Sequence, residues 1–227
     1  MKRTKLADRI LPDYTRGEEI FNMVSHIVGG GFGVIALATC AVKAFLMGNA
    51  YDITGAFIYG FSMVILYTMS ALYHGLKPEI GKKVFQIIDH CTIFILISGT
   101  YTPIALSALR PANPFLGWGV FGFVWGLSIL GVVLNAIDLK KYKILSMVLY
   151  ILLGWCIIFS GKAALNAMGI PCFMYILAGG ISYTVGAVFY GVGGKGKFHL
   201  RYMHSVFHIF VVIGSILQYL GILFYII

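Results

Sequence analysis

The chain has 227 residues, 59% of them hydrophobic and 11% charged, with a mean hydropathy of +0.90. An ordinary soluble domain is about 45–50% apolar and about 25% charged, so this composition excludes one and indicates an integral membrane protein. The formal charge of +9 does not point to nucleic acid, because the basic residues sit in short segments between apolar runs and make no patch on a soluble surface.

Residues 1–18 form a charged N-terminal segment broken by Pro12. It lacks the apolar stretch and small-residue cleavage site of a signal peptide, so the first apolar run is expected to act as an uncleaved insertion signal. A helix that crosses hydrocarbon takes about 20 apolar residues. Seven such runs follow, at 19–45, 53–75, 85–106, 115–137, 144–163, 171–190 and 202–226. Their short connections predict an all-α fold, a seven-transmembrane-helix bundle forming a single domain over 19–227. Glycines inside the runs, Gly29, Gly30, Gly31 and Gly33 and then Gly122 and Gly126, predict faces where backbones approach closely. Pro103 predicts a kink near the end of the third run, with freed carbonyls that need local partners. Cys40, Cys91, Cys156 and Cys172 form no C-x-x-C pair and are assigned no role.

Orientation follows from the basic residues. Lys2, Arg3, Lys5, Arg9 and Arg16, then Lys77, Lys82 and Lys83, then Lys140, Lys141 and Lys143, and finally Lys195, Lys197 and Arg201 fall on one side of the seven-run pattern, against only Lys43, Arg110 and Lys162 on the other. By the positive-inside rule the N-terminus is cytoplasmic and the C-terminus outside.

The last run opens with His204 and His208, spaced i, i+4 and therefore on one helical face. Ionisable side chains at membrane depth are costly and mark functional sites. With a rise of 1.5 Å per residue, His208 lies roughly 10 Å in from the cytoplasmic boundary, His74 at the end of the second run roughly 5 Å, and Asp89 in the third roughly 9 Å. Ser70 lies one turn from His74. The first run adds Glu19, Asn22 and His26 at the same level. Four helices thus converge on one depth with three histidines, an aspartate, a serine and the further polar strip of the first run. Three neutral nitrogen ligands, His74, His204 and His208, match a catalytic zinc site that keeps one position open. Asp89 would orient a water and accept its proton, and Ser70 would either donate a supporting hydrogen bond behind the ligands or stabilise an oxyanion.

Other readings of these residues stay open at this point. Asp89 pairs alternatively with His90 or with a lysine of the preceding loop. His90, a 100° turn away, is expected to face elsewhere. Glu19, Asn22 and His26 either extend the site as outer support or cap the first helix and tie it to its neighbours. His199, in the glycine-rich segment 191–196, is expected to be solvated, and that segment lacks the strand and the G-K-[ST] of a phosphate loop.

Glu19-x-x-Asn22-x-x-Ser25-His26, Ser70-x-x-x-His74, Asp89 early in the third run and His204-x-x-x-His208 together resemble the hemolysin III family. That family stands with the progestin and adipoQ receptors and, more distantly, the alkaline ceramidases. The resemblance spans essentially the whole chain. It implies seven helices with a cytoplasmic N-terminus, a zinc ion on His74, His204 and His208, Asp89 as the holder of the water, and hydrolysis of a lipid amide or ester. The expected location is the bacterial cytoplasmic (inner) membrane. Membrane lipids are the expected partners, with no nucleic acid and no protein partner. Two other classes compete: a membrane sensor or receptor in which zinc only ties helices together, and a hemolysin-type channel or pore.

Overall fold

The computed structural model describes residues 4–193 and 201–227. Regular structure among the described residues is entirely helical. It comprises α1 (Arg16–Met47), α2 (Ala50–Gly75), α3 (Ile80–Pro103), a π-helical segment (Ile104–Leu109), the single turn α4 (Arg110–Ala112), α5 (Pro114–Gly154), a 3-10 segment (Cys156–Ser160), α6 (Gly161–Gly193) and α7 (Met203–Tyr225).

Helix starts follow from local chemistry. Thr15 caps α1 in a reciprocal capping box with Glu18, and Asn49 does the same for α2 with Asp52, so backbone donors left open at each helix start are met by side chains. Asn113 caps α5 ahead of Pro114, whose fixed φ suits the first helical position. At Pro103 the chain passes into the π-helical segment, because proline brings no N–H to the carbonyl one turn back. The predicted kink is therefore realised as a change of helix type.

Among the described residues, five helical stretches are long and apolar enough to cross a membrane, the fourth running from Pro114 to Val192 over 79 residues. A straight helix of that length would measure roughly 120 Å, several bilayer cores, but the stretch is broken. Asp138 has extended backbone (φ −158°, ψ 91°) and accepts from the Lys141 N–H as a helix cap does. Gly169, at φ +75°, occupies a conformation that only glycine adopts freely, two residues before Pro171. At the 3-10 segment, the Tyr101 hydroxyl donates to the Gly154 carbonyl and accepts from the Ile157 N–H. It thus serves both backbone groups released by the break, as apolar surroundings require.

α1 packs on α2 and α7, α2 on α3, α3 on α5, and α6 on α7. Gly29 and Gly33 form the expected close face: a Cβ at Gly29 would lie 2.7 Å from the Tyr67 ring, and one at Gly33 3.2 Å from the Val64 backbone. Gly31, Gly122 and Gly126 do not behave as expected, since a Cβ at any of them meets nothing within 4 Å, and one at Gly30 would reach only ordinary contact with Tyr67 at 3.7 Å. Residues from α1, α2, α3, α5, α6 and α7 enclose a cavity whose wall is mostly apolar. Its lining on α7 extends from His204 to Gln218, roughly 20 Å along the helix.

Candidate metal centre

The start of α7 is fixed against the start of α1. Tyr202 has φ 64°, uncommon for a bulky residue. Its N–H donates to Glu18 Oε1 at 2.7 Å, and its hydroxyl lies where a Cβ on residue 17 would stand 2.7 Å away, so Gly17 makes room. This anchor sets the register of His204 and His208, one turn apart with Nε2 atoms 3.1 Å from each other. His74, from the last turn of α2, brings its Nε2 to 3.3 Å from that of His204. One ligand atom from each of the three histidines lies within 4.8 Å of the others, and the group could hold a metal ion.

The surroundings decide which nitrogen carries the proton. His74 Nδ1 sits 2.6 Å from Glu19 Oε2, and a carboxylate accepts, so Nδ1 holds the hydrogen and Nε2 presents a lone pair. Ser25 donates its hydroxyl to the Asn22 carbonyl at 3.0 Å. The 3.4 Å contact between Ser25 Oγ and His208 Nδ1 therefore has the imidazole as donor, which again leaves Nε2 as a lone pair. Two lone pairs thus point at the His204 Nε2, which has one proton at most to offer them. A cation satisfies all three nitrogens at once.

Glu19 also accepts from Lys82 Nζ through Oε1 at 2.7 Å. Lys82, only 4% exposed, further donates to the carbonyls of Leu76 (3.0 Å) and His74 (3.4 Å). Its ammonium thereby closes the C-terminal end of α2, where helix carbonyls lack partners and cations are favoured. A carboxylate behind a ligating histidine fixes the ring and raises its basicity.

The strip on α1 divides between the two roles left open for it. Glu19 supports His74. Asn22 ties helices, its Oδ1 accepting from Ser205 Oγ on α7 at 2.7 Å. His26 stacks on His208 with ring centroids 3.7 Å apart and planes 14° from parallel, and it lies outside the close-set donor group. Ser70 and Asp89 line the cavity beside His204 and His208. Asp89 Oδ2 stands 3.7 Å from His90 Nδ1, which bonds the Gln86 carbonyl at 2.8 Å. The lysines before Asp89 are engaged elsewhere, Lys82 with Glu19 and Lys83 with the Ala7 carbonyl. His90 departs from expectation by lining the same cavity, because a wide cavity admits neighbouring residues that a narrow helical stripe would separate. His199 and residues 194–196 of the glycine-rich segment lie outside the described residues.

Sequence reasoning missed Tyr14, whose ring stacks on His204 (centroids 5.1 Å, 11°) and lies 5.9 Å from His74. Burial raises its phenol well above the usual range, so the ring covers the histidines as a neutral group. No spacing signal marks Tyr14, which sits before the first helix. Lys82 was legible only as a topological charge or as a loop lysine beside Asp89, and Tyr190, 5.4 Å from His204, carried no signal of its own.

Residues 14–219 match the family model described as "Haemolysin-III related". The chain is 35% identical to "Hemolysin-3 homolog" of Bacillus subtilis (strain 168) over 212 residues, which cover 93% of this chain and 96% of that one. It is likewise 35% identical to "Hemolysin-3" of Bacillus cereus over 209 residues, 92% of each. The human "Monocyte to macrophage differentiation factor" is 24% identical over 198 residues, 83% of this chain and 77% of the relative.

Proposed function

This chain belongs to the Haemolysin-III related family, and we propose that it is a zinc-dependent hydrolase of a lipid amide or ester at the cytoplasmic side of a bacterial inner membrane. The observation that carries this reading is the meeting of the His74, His204 and His208 nitrogens beside a largely apolar cavity that also receives Asp89 and Ser70. Tetrahedral zinc with bonds of about 2.0–2.1 Å sets neighbouring ligand atoms roughly 3.3 Å apart, and the Nε2 separations of 3.3 and 3.1 Å fit that spacing. Bound zinc would supply Lewis acidity and a water of lowered pKa. Asp89 orients the attacking water and takes its proton. Ser70 donates its hydroxyl to the carbonyl oxygen as charge develops there. The apolar wall holds the hydrocarbon and excludes bulk water.

Asp89 stands outside the close-set donor group, which favours the open coordination of a catalytic site over the closed shell of structural zinc in a sensor or receptor. The gathering of polar groups beside an otherwise apolar cavity favours a binding site over a conducting pore. The breaks at Asp138 and Gly169 support three crossings between Pro114 and Val192, hence seven in all. Lys82, which bonds Glu19 and the His74 carbonyl, and Arg201, three residues before His204 in the chain, support a cytoplasmic N-terminus and site, with the C-terminus outside.

Lipid turnover tests the reading. Purified protein is assayed against a panel of ceramides, lysolipids and acyl esters. The parent is expected to hydrolyse at least one class, and Asp89→Ala to lose about 100-fold or more in rate. A parent inert across the panel, or an Asp89→Ala variant as fast as the parent, overturns the hydrolase assignment.

A further inference from the structure

Two buried polar side chains face the cavity with their hydrogen-bonding capacity unused. His26 is 3% exposed, and neither ring nitrogen has a hydrogen-bond partner among the described residues. Its face is covered by His208, and Tyr67 meets it edge-on at 5.0 Å with planes 78° apart. Tyr67 gives it no bond, since that hydroxyl is directed to Ser215 Oγ at 2.7 Å. Ser70, 1% exposed, also has no partner for its Oγ. This contrasts with nearby helical hydroxyls: Ser62 donates to the Tyr59 carbonyl and Thr92 to that of Asp89. Both groups line the cavity.

His26 is no fourth ligand. Imidazole lone pairs lie in the ring plane, and a ring nearly parallel to His208 at 3.7 Å directs its own past the point at which His208 aims. A neutral imidazole has one donor and one acceptor nitrogen, and a serine hydroxyl both donates and accepts. Buried polar groups remain open at a cost unless something fills the requirement.

We propose that His26 and Ser70 form a two-point binding site for an uncharged lipid head group that both donates and accepts hydrogen bonds, the Ser70 Oγ accepting from the head group while its one proton goes to the reacting carbonyl. The hydrocarbon of the same molecule lies along the apolar wall. The assignment rests on reading the cavity as a substrate site. It adds what the substrate must present beside the reacting carbon, a hydroxyl or an N–H together with an oxygen acceptor, and thus disfavours plain esters.

Equilibrium binding of tritiated dodecanol, dodecyl methyl ether and dodecane to detergent-purified protein tests this without turnover. The alcohol donates and accepts, the ether only accepts, and the alkane does neither. The parent is expected to prefer the alcohol over the alkane by about tenfold or more, the equivalent of one or two buried hydrogen bonds, with the ether between them. His26→Phe, which keeps the stack on His208 and the packing against Tyr67, should lose that preference while binding dodecane and metal as the parent does. His26→Gln restores a donor and an acceptor and should recover part of it. Ser70→Ala should lose about half of the preference on a logarithmic scale.

Equal binding of the three probes by the parent overturns the proposal, as does an unchanged preference in both His26→Phe and Ser70→Ala. Loss of metal from His26→Phe, with Ser70→Ala binding like the parent, assigns His26 to the metal centre and also overturns it. The preference should survive in chelator-treated parent; its disappearance there would show that the metal, not the two side chains, selects the head group. Failure of the lipid-turnover assay leaves these measurements standing, so the two readings fail separately.

Discussion

α3 and the histidine end of the bundle both bury polar side chains among apolar helices, but they satisfy them differently. Along α3, Thr92, Ser98, Thr100 and Thr102 each turn the hydroxyl onto a carbonyl three or four residues back, at 2.7–2.9 Å. Each donor is met within its own helix, and of the four only Thr102 also reaches outside it, its Oγ1 accepting from Trp125 Nε1 of α5 at 3.1 Å. At the histidine end, His26, Ser70, the Asn22 amide nitrogen and His204 Nδ1 have no hydrogen-bond partner among the described residues. Several of the bonds there run between helices: Glu19 of α1 to His74 of α2 and Lys82 of α3, and Asn22 of α1 to Ser205 of α7. Cross-helix bonds also occur elsewhere, as between Thr39 of α1 and Tyr219 of α7; what sets the histidine end apart is that unpartnered polar groups and a close-set trio of histidines meet there beside a cavity.

That contrast is broken most strongly through Glu19. Glu19→Gln keeps the shape but removes the charge that holds His74 Nδ1–H and Lys82. Apparent metal affinity is expected to fall about 10- to 100-fold, measured by competition with a chelator of known affinity. Tyr14→Ala comes next. It uncovers His204, and chelator extraction should accelerate about fivefold at unchanged equilibrium affinity, the scale set by a single stacked aromatic pair; identical extraction rates would deny Tyr14 its covering role. Ser98→Ala gives the smallest effect. Its hydroxyl is bonded within α3, so stability should change by about 1 kcal/mol or less and metal content not at all, as read by thermal unfolding and elemental analysis.

The helices and the level of the site were legible because the bilayer imposes them. Hydrocarbon thickness sets run length, and polar residues such as His204, His208 and Asp89 stand out against apolar neighbours. The i, i+4 spacing put the α7 histidines on one face, and depth alone aligned His74 with them. Partners chosen by helix packing were not legible. Nothing in the spacing joins Glu19 to Lys82, or Tyr14 to His204, because each pair depends on which helices adjoin and how they are rotated. Gly122 and Gly126 carry the same composition signal as Gly29 and Gly33 and lack their close neighbours, since a small residue permits a close approach without bringing another helix to it. The helical breaks at Asp138 and Gly169 each had a local cause, a capping carboxylate and a left-handed glycine. These become visible only once backbone angles are known.

Metal analysis tests the central claim most directly: that His74, His204 and His208 hold one ion. Protein purified in detergent, with zinc supplied during expression, is measured beside His74→Ala and His208→Ala, each checked for retained helicity. One zinc per chain in the parent and almost none in either variant is the expected result. Stoichiometric zinc that persists in both variants, or a folded parent that takes up none, would contradict it.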